Sequence, residues 1–218
     1  MDWDALAGRA EERYRDGLER LPDEPDARQR QLTRTGNAAW AAGLCRLMDG
    51  RRDEARAWLG RAADRYRESF AGAPPGSWGR LIGMVKARLL AEDRTGAAEA
   101  ARWSLAQGPA EAESPIGRYA AALALLVLGE DTEAELLAEA LRREHEEAFP
   151  KPVANALAGI ARRDSRLYGD GLAHVLASFE ARTEYLEDVP VADTVIVLEA
   201  LAAERGLAVE PRSELLPA

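Results

Sequence analysis

The chain has 218 residues, of which 47% are hydrophobic and 31% are charged, and its formal net charge is −9. This composition is typical of an ordered globular protein rather than a disordered one. Because Cys45 is the single cysteine, an intrachain disulfide bond is excluded, and we expect a cytoplasmic protein.

The negative charge is concentrated in the second half of the sequence. Residues 1–109 contain 19 basic and 17 acidic side chains, whereas residues 110–218 contain 10 basic and 21 acidic ones. An acidic surface repels nucleic acids and anionic membranes and favours rapid encounter with a basic protein. We therefore expect a protein partner and neither a nucleic-acid nor a membrane partner, although ordinary solubilising charge explains the same bias.

Glycine and proline signals divide the chain into about ten helical segments. Strong helix formers dominate and β-branched residues are sparse, so the sequence predicts an all-α fold. The segments are expected near residues 3–21, up to 48, 55–70, 78–91, 96–107, 115–128, 132–149, 153–162, 165–186 and 191–205.

Several of these boundaries have a specific chemical signal. Asp49-Gly50 ends the second helix because glycine adopts the left-handed conformation at no steric cost. Ser114-Pro115 begins an apolar helix that Gly129 ends, since serine caps free N–H groups and proline fits the first helical position. Thr132 and Glu135 predict a capping box that opens a helix extending to Phe149.

Short acidic turns separate the helices at uneven intervals. The turns at Asp49, Asp93, Asp131 and Asp164 are 44, 38 and 33 residues apart. Tetratricopeptide hairpins repeat at about 34 residues. The spacing predicts a single all-helical domain over residues 1–218, an irregular tetratricopeptide-like α-solenoid of stacked antiparallel helical hairpins. The Pro-Pro-Gly stretch at 71–77 is an alternative point of division.

Catalytic and metal-binding patterns are weak in this sequence. His145 and His174 are the two histidines, and neither has a second ligand at metal-site spacing, so both are interpreted as surface or rim residues. Cys45 is interpreted as a small buried residue rather than a nucleophile. We expect no catalytic residues, no metal and no cofactor.

The last third of the chain resembles a known family. Residues 153–164 read VANALAGIARRD, a long helix ending at 178–182 follows, and the chain closes with an apolar helix over 194–203, then ERGLAVE at 204–210 and Leu-Leu-Pro at 215–217. Over roughly residues 150–218 this resembles the all-helical immunity protein 49 family of bacterial polymorphic toxin systems. The resemblance implies a non-enzymatic, antitoxin-like protein that masks a cognate toxin.

The leading hypothesis is therefore a protein-binding protein that uses its acidic second half against a basic toxin. The alternative is a tetratricopeptide-like scaffold or regulatory adaptor that holds a peptide in a groove. An α-helical enzyme requires convergent carboxylates or a histidine in a deep pocket. The residues predicted to contact the partner are Glu144, Glu146, Glu147, Glu184, Glu187 and Asp188.

Overall fold

The computed structural model describes residues 1–207 and 209–217, and every regular element in this part of the chain is helical. Ten α-helices lie there, together with two short 3₁₀ turns at Pro109–Glu111 and Leu186–Asp188. The predicted all-α fold of about ten helices is confirmed. The α-helices are α1 (Trp3–Glu19), α2 (Pro25–Met48), α3 (Arg52–Phe70), α4 (Gly79–Leu90), α5 (Arg94–Leu105), α6 (Pro115–Leu128), α7 (Asp131–Arg143), α8 (Lys151–Arg162), α9 (Ser165–Glu180) and α10 (Asp193–Ala203).

The helices are distributed over two compact units. Unit 1 comprises residues 1–94 and 183–191 and the residues from Glu214 onward, whereas unit 2 comprises residues 95–182 and 192–213. The Pro-Pro-Gly stretch at 71–77 lies within unit 1, where it joins α3 to α4. The main boundary therefore follows Arg94, and a single domain over the whole chain stays a prediction.

Consecutive helices of unit 1 pack against one another as hairpins. Trp40 of α2 and Tyr66 of α3 are core residues of this unit, and each is 5% exposed. α2 approaches α3 closely at Gly43, where an added Cβ atom would lie 2.6 Å from Cγ of Leu59. Glycine at this position therefore sets the distance between the two helices.

A buried arginine links the first three helices of unit 1. The Arg46 side chain on α2 is 8% exposed and pairs with Asp4 and Glu11 of α1 and with Glu54 of α3. Its Nη2 lies 2.8 Å from Oε1 of Glu11. A buried guanidinium without partners is costly, so these carboxylates make the position of Arg46 tolerable. The hydrogen bond from Arg46 also holds the pKa of Asp4 below its ordinary value.

Unit 2 is built from hairpins of α6 with α7, α7 with α8, and α8 with α9. The apolar helix α6 has its residues 120–124 fully buried, as its sequence predicts. The capping serine is also as predicted, because the Ser114 hydroxyl accepts a hydrogen bond from the backbone N–H of Ile116 at 3.2 Å. Gly129 ends the helix with a φ of 78°.

A second buried arginine joins three segments of unit 2. Arg205, which follows α10, is 5% exposed at its side chain. It donates hydrogen bonds to the carbonyl oxygens of Leu126 and Leu201 at 2.8 and 2.9 Å, and its Nε donates to Asp131 at 2.9 Å. The ends of α6 and α10 and the start of α7 are thereby held together.

Two helix boundaries in unit 2 differ from those that the sequence predicts. Thr132 and Glu135 form no capping box, because α7 has Glu130 as its N-cap without a side-chain cap, and Glu135 accepts from Arg162 at 2.8 Å. α7 ends at Arg143 rather than at Phe149, since Phe149 turns into the core, where its ring centroid lies 5.4 Å from that of Tyr119. A helix break there is what places Phe149 against α6.

The end of α9 also differs from the prediction. The helix was expected to continue to Leu186 but ends at Glu180, with Ala181 as its C-cap. The chain leaves unit 2 after Arg182 and enters unit 1 at Thr183, so a continuous helix to Leu186 would run through this boundary.

Candidate interaction surface

Three of the six predicted contact residues lie in unit 2, on the turn that follows α7. The Glu144 carboxylate is bonded to Arg118 of α6, and its side chain is only 26% exposed. Glu146 and Glu147 are exposed, and neither forms an ion pair with another described residue. Glu144 therefore positions the turn, whereas Glu146 and Glu147 present free carboxylates.

Arg118 brings a second acidic turn to the same end of the α6–α7 hairpin. Its other terminal nitrogen donates a hydrogen bond to the Glu113 carbonyl oxygen at 2.8 Å. Glu111 and Glu113 lie on the turn before α6, and both are exposed without an ion pair to any described residue. Sequence reasoning missed these two glutamates, and their signal was their position directly before the Ser114-Pro115 helix start.

An exposed apolar side chain follows the Glu111–Glu113 turn in the chain. Ile116, in the first turn of α6, is 40% exposed. Binding surfaces commonly combine a central apolar anchor with a polar rim. We use the name acidic end for the surface of unit 2 formed by Glu111, Glu113, Ile116, Glu146 and Glu147.

The acidic residues of unit 2 outnumber its basic residues. Unit 2 contains 18 acidic and 11 basic residues. Several of its basic side chains are engaged by acids of the same unit, and none of them forms an ion pair with Glu111, Glu113, Glu146 or Glu147 among the described residues. These internally paired arginines are Arg118, Arg142, Arg162, Arg163 and Arg205.

The other three predicted contact residues lie in unit 1, on the 183–191 segment. Glu184 and Asp188 are exposed, whereas Glu187 is paired with Arg13 of α1 at 3.1 Å and its side chain is 23% exposed. Glu187 and Asp188 have φ angles of 57° and 59°. The left-handed region is unfavourable for residues other than glycine, so the fold holds these two in a strained turn.

The nucleophile and imidazole candidates are as the sequence predicts. Cys45 is fully buried, and burial raises the pKa of its thiol to about 11. A thiol with such a pKa is not a nucleophile at neutral pH. His145 and His174 are both exposed, and Nδ1 of His174 lies 2.7 Å from the Asp170 carbonyl oxygen on the same helix.

One carboxyl group of unit 2, that of Glu199, has a raised pKa. Burial raises the pKa of Glu199 to about 7, with a smaller contribution from the negative charge of Glu210. Burial, and secondarily Glu199, raises the pKa of Tyr168, whose buried hydroxyl has no hydrogen-bond partner among the described residues. These groups lie in the α9–α10 region and not at the acidic end.

The described residues contain neither a metal-binding cluster nor a membrane-spanning helix. Among residues 1–207 and 209–217, no three or more cysteine, histidine or acidic side chains are grouped as a metal site would require. Within the same residues, every helix is too short or too polar to cross a lipid bilayer.

Comparison with protein-family models, with curated proteins and with solved structures gave no match.

Proposed function

We propose that the chain is a non-catalytic binding protein that masks a basic protein partner, in the manner of an immunity protein bound to its toxin. The observation that carries this proposal is the free charge of the acidic end. Four exposed carboxylates on two turns form no ion pair with a described residue, while several arginines of the same unit are bound in internal ion pairs.

Arg118 and Glu144 give the acidic end a defined shape. Arg118 bonds to both turns, so the carboxylates of Glu111, Glu113, Glu146 and Glu147 are carried on backbone segments that are fixed relative to each other. A preformed surface binds with less loss of conformational entropy than a flexible one. The carboxylates attract a basic partner over a distance, and Ile116 supplies apolar area that is buried on contact.

The immunity-like role rests on two further points. The resemblance of residues 150–218 to the immunity protein 49 family implies the masking of a toxin, and many toxins of this kind act on nucleic acids through basic clefts. An acidic surface placed over such a cleft blocks the substrate by occupying its electrostatic site.

The test uses the protein encoded by the neighbouring gene as the probe. We expect that protein to be basic and to arrest growth when it is expressed alone in a bacterial host, and we expect co-expression of this chain to restore growth. The purified pair should also form a stable complex by size-exclusion chromatography. A neighbouring protein that does not bind, or whose toxicity is unchanged, contradicts the proposal.

The second candidate function is a tetratricopeptide-like scaffold that binds a peptide. Its support is the hairpin packing of α1 to α4 and a groove between α1 and α2 whose lining includes several charged side chains. This function predicts binding to a peptide rather than to a folded toxin.

A further inference from the structure

The α1–α2 groove of unit 1 has the size of a small binding site. Its volume is about 460 Å³, within the range of small-molecule and side-chain pockets. It lies far in sequence from the acidic end, and the proposed masking of a basic partner makes no use of it, whereas the second candidate function, peptide binding, does. Its lining includes Arg13, Asp16, Gly17, Arg20, Gln31, Arg34, Thr35 and Glu187.

The floor of the groove is a close contact between two helices. A Cβ atom at Gly17 would lie 2.4 Å from Cγ2 of Thr35 and 2.9 Å from Nε2 of Gln31. The Gly17 carbonyl oxygen accepts a hydrogen bond from Gln31 at 3.1 Å. These contacts fix α1 against α2. The backbone positions that carry the arginines of both helices are therefore fixed relative to each other.

Three arginine side chains line the groove, and they differ in whether a carboxylate of the protein pairs with them. Arg34 of α2 is exposed and forms no ion pair with another described residue. Arg20 lies 3.7 Å from Asp16, but both side chains are mostly exposed, so this pair contributes little. Arg13 is paired with Glu187 at 3.1 Å.

Glu187 has the features of an internal ligand. It comes from a segment far along the chain, and its strained backbone directs its carboxylate to a guanidinium of the groove. Val189 and Val191, which follow it, are buried and anchor the segment. An arginine site that already holds one carboxylate is chemically suited to others, because guanidinium and carboxylate form paired hydrogen bonds.

We propose that this groove binds an acidic segment of a partner protein, whose carboxylates pair with Arg34 and Arg13 and displace Glu187. A protein carboxylate is favoured over a nucleic acid because the group that already pairs with Arg13 in this groove is a protein carboxylate, that of Glu187.

The experiment measures binding of a fluorescein-labelled poly-Glu peptide to the full chain by fluorescence anisotropy. Arg34→Ala should weaken binding by about fivefold or more, because it removes a charge-assisted hydrogen bond. Glu187→Gln should tighten binding by about three- to tenfold, because the competing internal carboxylate is lost. Arg15→Ala is the matched control, since Arg15 is an exposed arginine of α1 outside the groove lining.

Three outcomes overturn the proposal. Equal effects of Arg34→Ala and Arg15→Ala mean that binding reflects overall charge only. Unchanged or weaker binding by Glu187→Gln means that Glu187 does not occupy the peptide site. Stronger competition by single-stranded RNA or inorganic phosphate than by unlabelled poly-Glu means that the groove is not selective for protein carboxylates.

Discussion

The backbone of Tyr168 on α9 lies directly against Gly159 on α8. A Cβ atom at position 159 would be 2.4 Å from the Tyr168 nitrogen and 2.7 Å from its Cα atom. These are backbone atoms, so they cannot move aside without shifting a helix. The packing of the α8–α9 hairpin therefore depends on the absence of a side chain at position 159.

Gly159→Ala should destabilise the protein by about 2–3 kcal/mol, because a methyl group is forced into a closely packed contact. Gly169→Ala is the control in the same hairpin, since a Cβ there meets no atom within 4 Å. This control should stabilise the protein by about 0.5–1 kcal/mol through helix propensity. Urea denaturation followed by circular dichroism measures both effects, and equal free energies of unfolding for the two variants would contradict the packing account.

Arg205→Ala should destabilise unit 2 strongly, by about 3 kcal/mol, because it leaves Asp131 and the Leu126 carbonyl oxygen without their buried partner. Arg163 remains 3.6 Å from Asp131 and compensates only partly. The matched control is Arg212→Ala, an exposed arginine with no ion pair to a described residue, which should change the free energy of unfolding by less than about 0.5 kcal/mol. Similar small losses in both variants would show that Arg205 does not join the three segments.

Stability should fall as the pH rises from 5 to 8, because Glu199 must ionise in a partly buried position. Its folded pKa of about 7 exceeds the ordinary value of 4.5, so the folded state binds the proton more tightly. The stabilisation that protonated Glu199 gives to the folded state is fully present below the ordinary pKa of 4.5. It is lost as the pH rises through the folded pKa of about 7. The loss should be about 1–2 kcal/mol, since the carboxyl group is partly solvated.

Glu199→Gln isolates this effect, because glutamine keeps the shape of the side chain without the charge. The difference in free energy of unfolding between the wild-type protein and this variant should therefore change with pH over the range from 5 to 8. A pH-independent difference would refute the raised pKa of Glu199.

Tyr168→Phe should leave stability unchanged or raise it by up to about 1 kcal/mol. The Tyr168 hydroxyl is buried and has no hydrogen-bond partner among the described residues, so its removal releases a desolvation cost. Thermal unfolding of the variant measures this directly. A loss of more than about 1 kcal/mol would mean that the hydroxyl has a bound partner.

The helices were predictable where local signals act alone. Gly50 and Gly129 end helices in the left-handed conformation, and Ser114 caps α6, as their residue types predict. The capping box at Thr132 and Glu135 failed because a distant residue, Arg162, binds Glu135. Capping competes with tertiary ion pairing, and a sequence read locally does not contain the second partner.

The acidic end was predictable from the sequence only in part, because some of its features depend on contacts between residues that are distant in sequence. The distribution of charge along the sequence indicated the second half of the chain, where Glu146 and Glu147, two of the predicted contact residues, are exposed. Glu144 and Glu187 are instead bound to arginines at distant sequence positions, Arg118 and Arg13. The contribution of Glu111 and Glu113 depends on Arg118 joining two turns, which only the folded chain reveals.

The central claim is that the acidic end is the surface that meets a basic partner. The most direct test is the association rate constant with the basic product of the neighbouring gene, measured by stopped-flow fluorescence at several salt concentrations. The paired variants are Glu146→Lys with Glu147→Lys, and Glu130→Lys with Glu133→Lys. The second pair changes the net charge equally, using exposed glutamates at the opposite end of the α6–α7 hairpin.

Reversal at Glu146 and Glu147 should lower the association rate constant by about tenfold and reduce its salt dependence, because the complementary local field is lost. Reversal at Glu130 and Glu133 should lower it by no more than about threefold, through net charge alone. Equal rate constants for the two variants, or an unchanged rate constant for the first, would contradict the assignment of the acidic end as the binding surface.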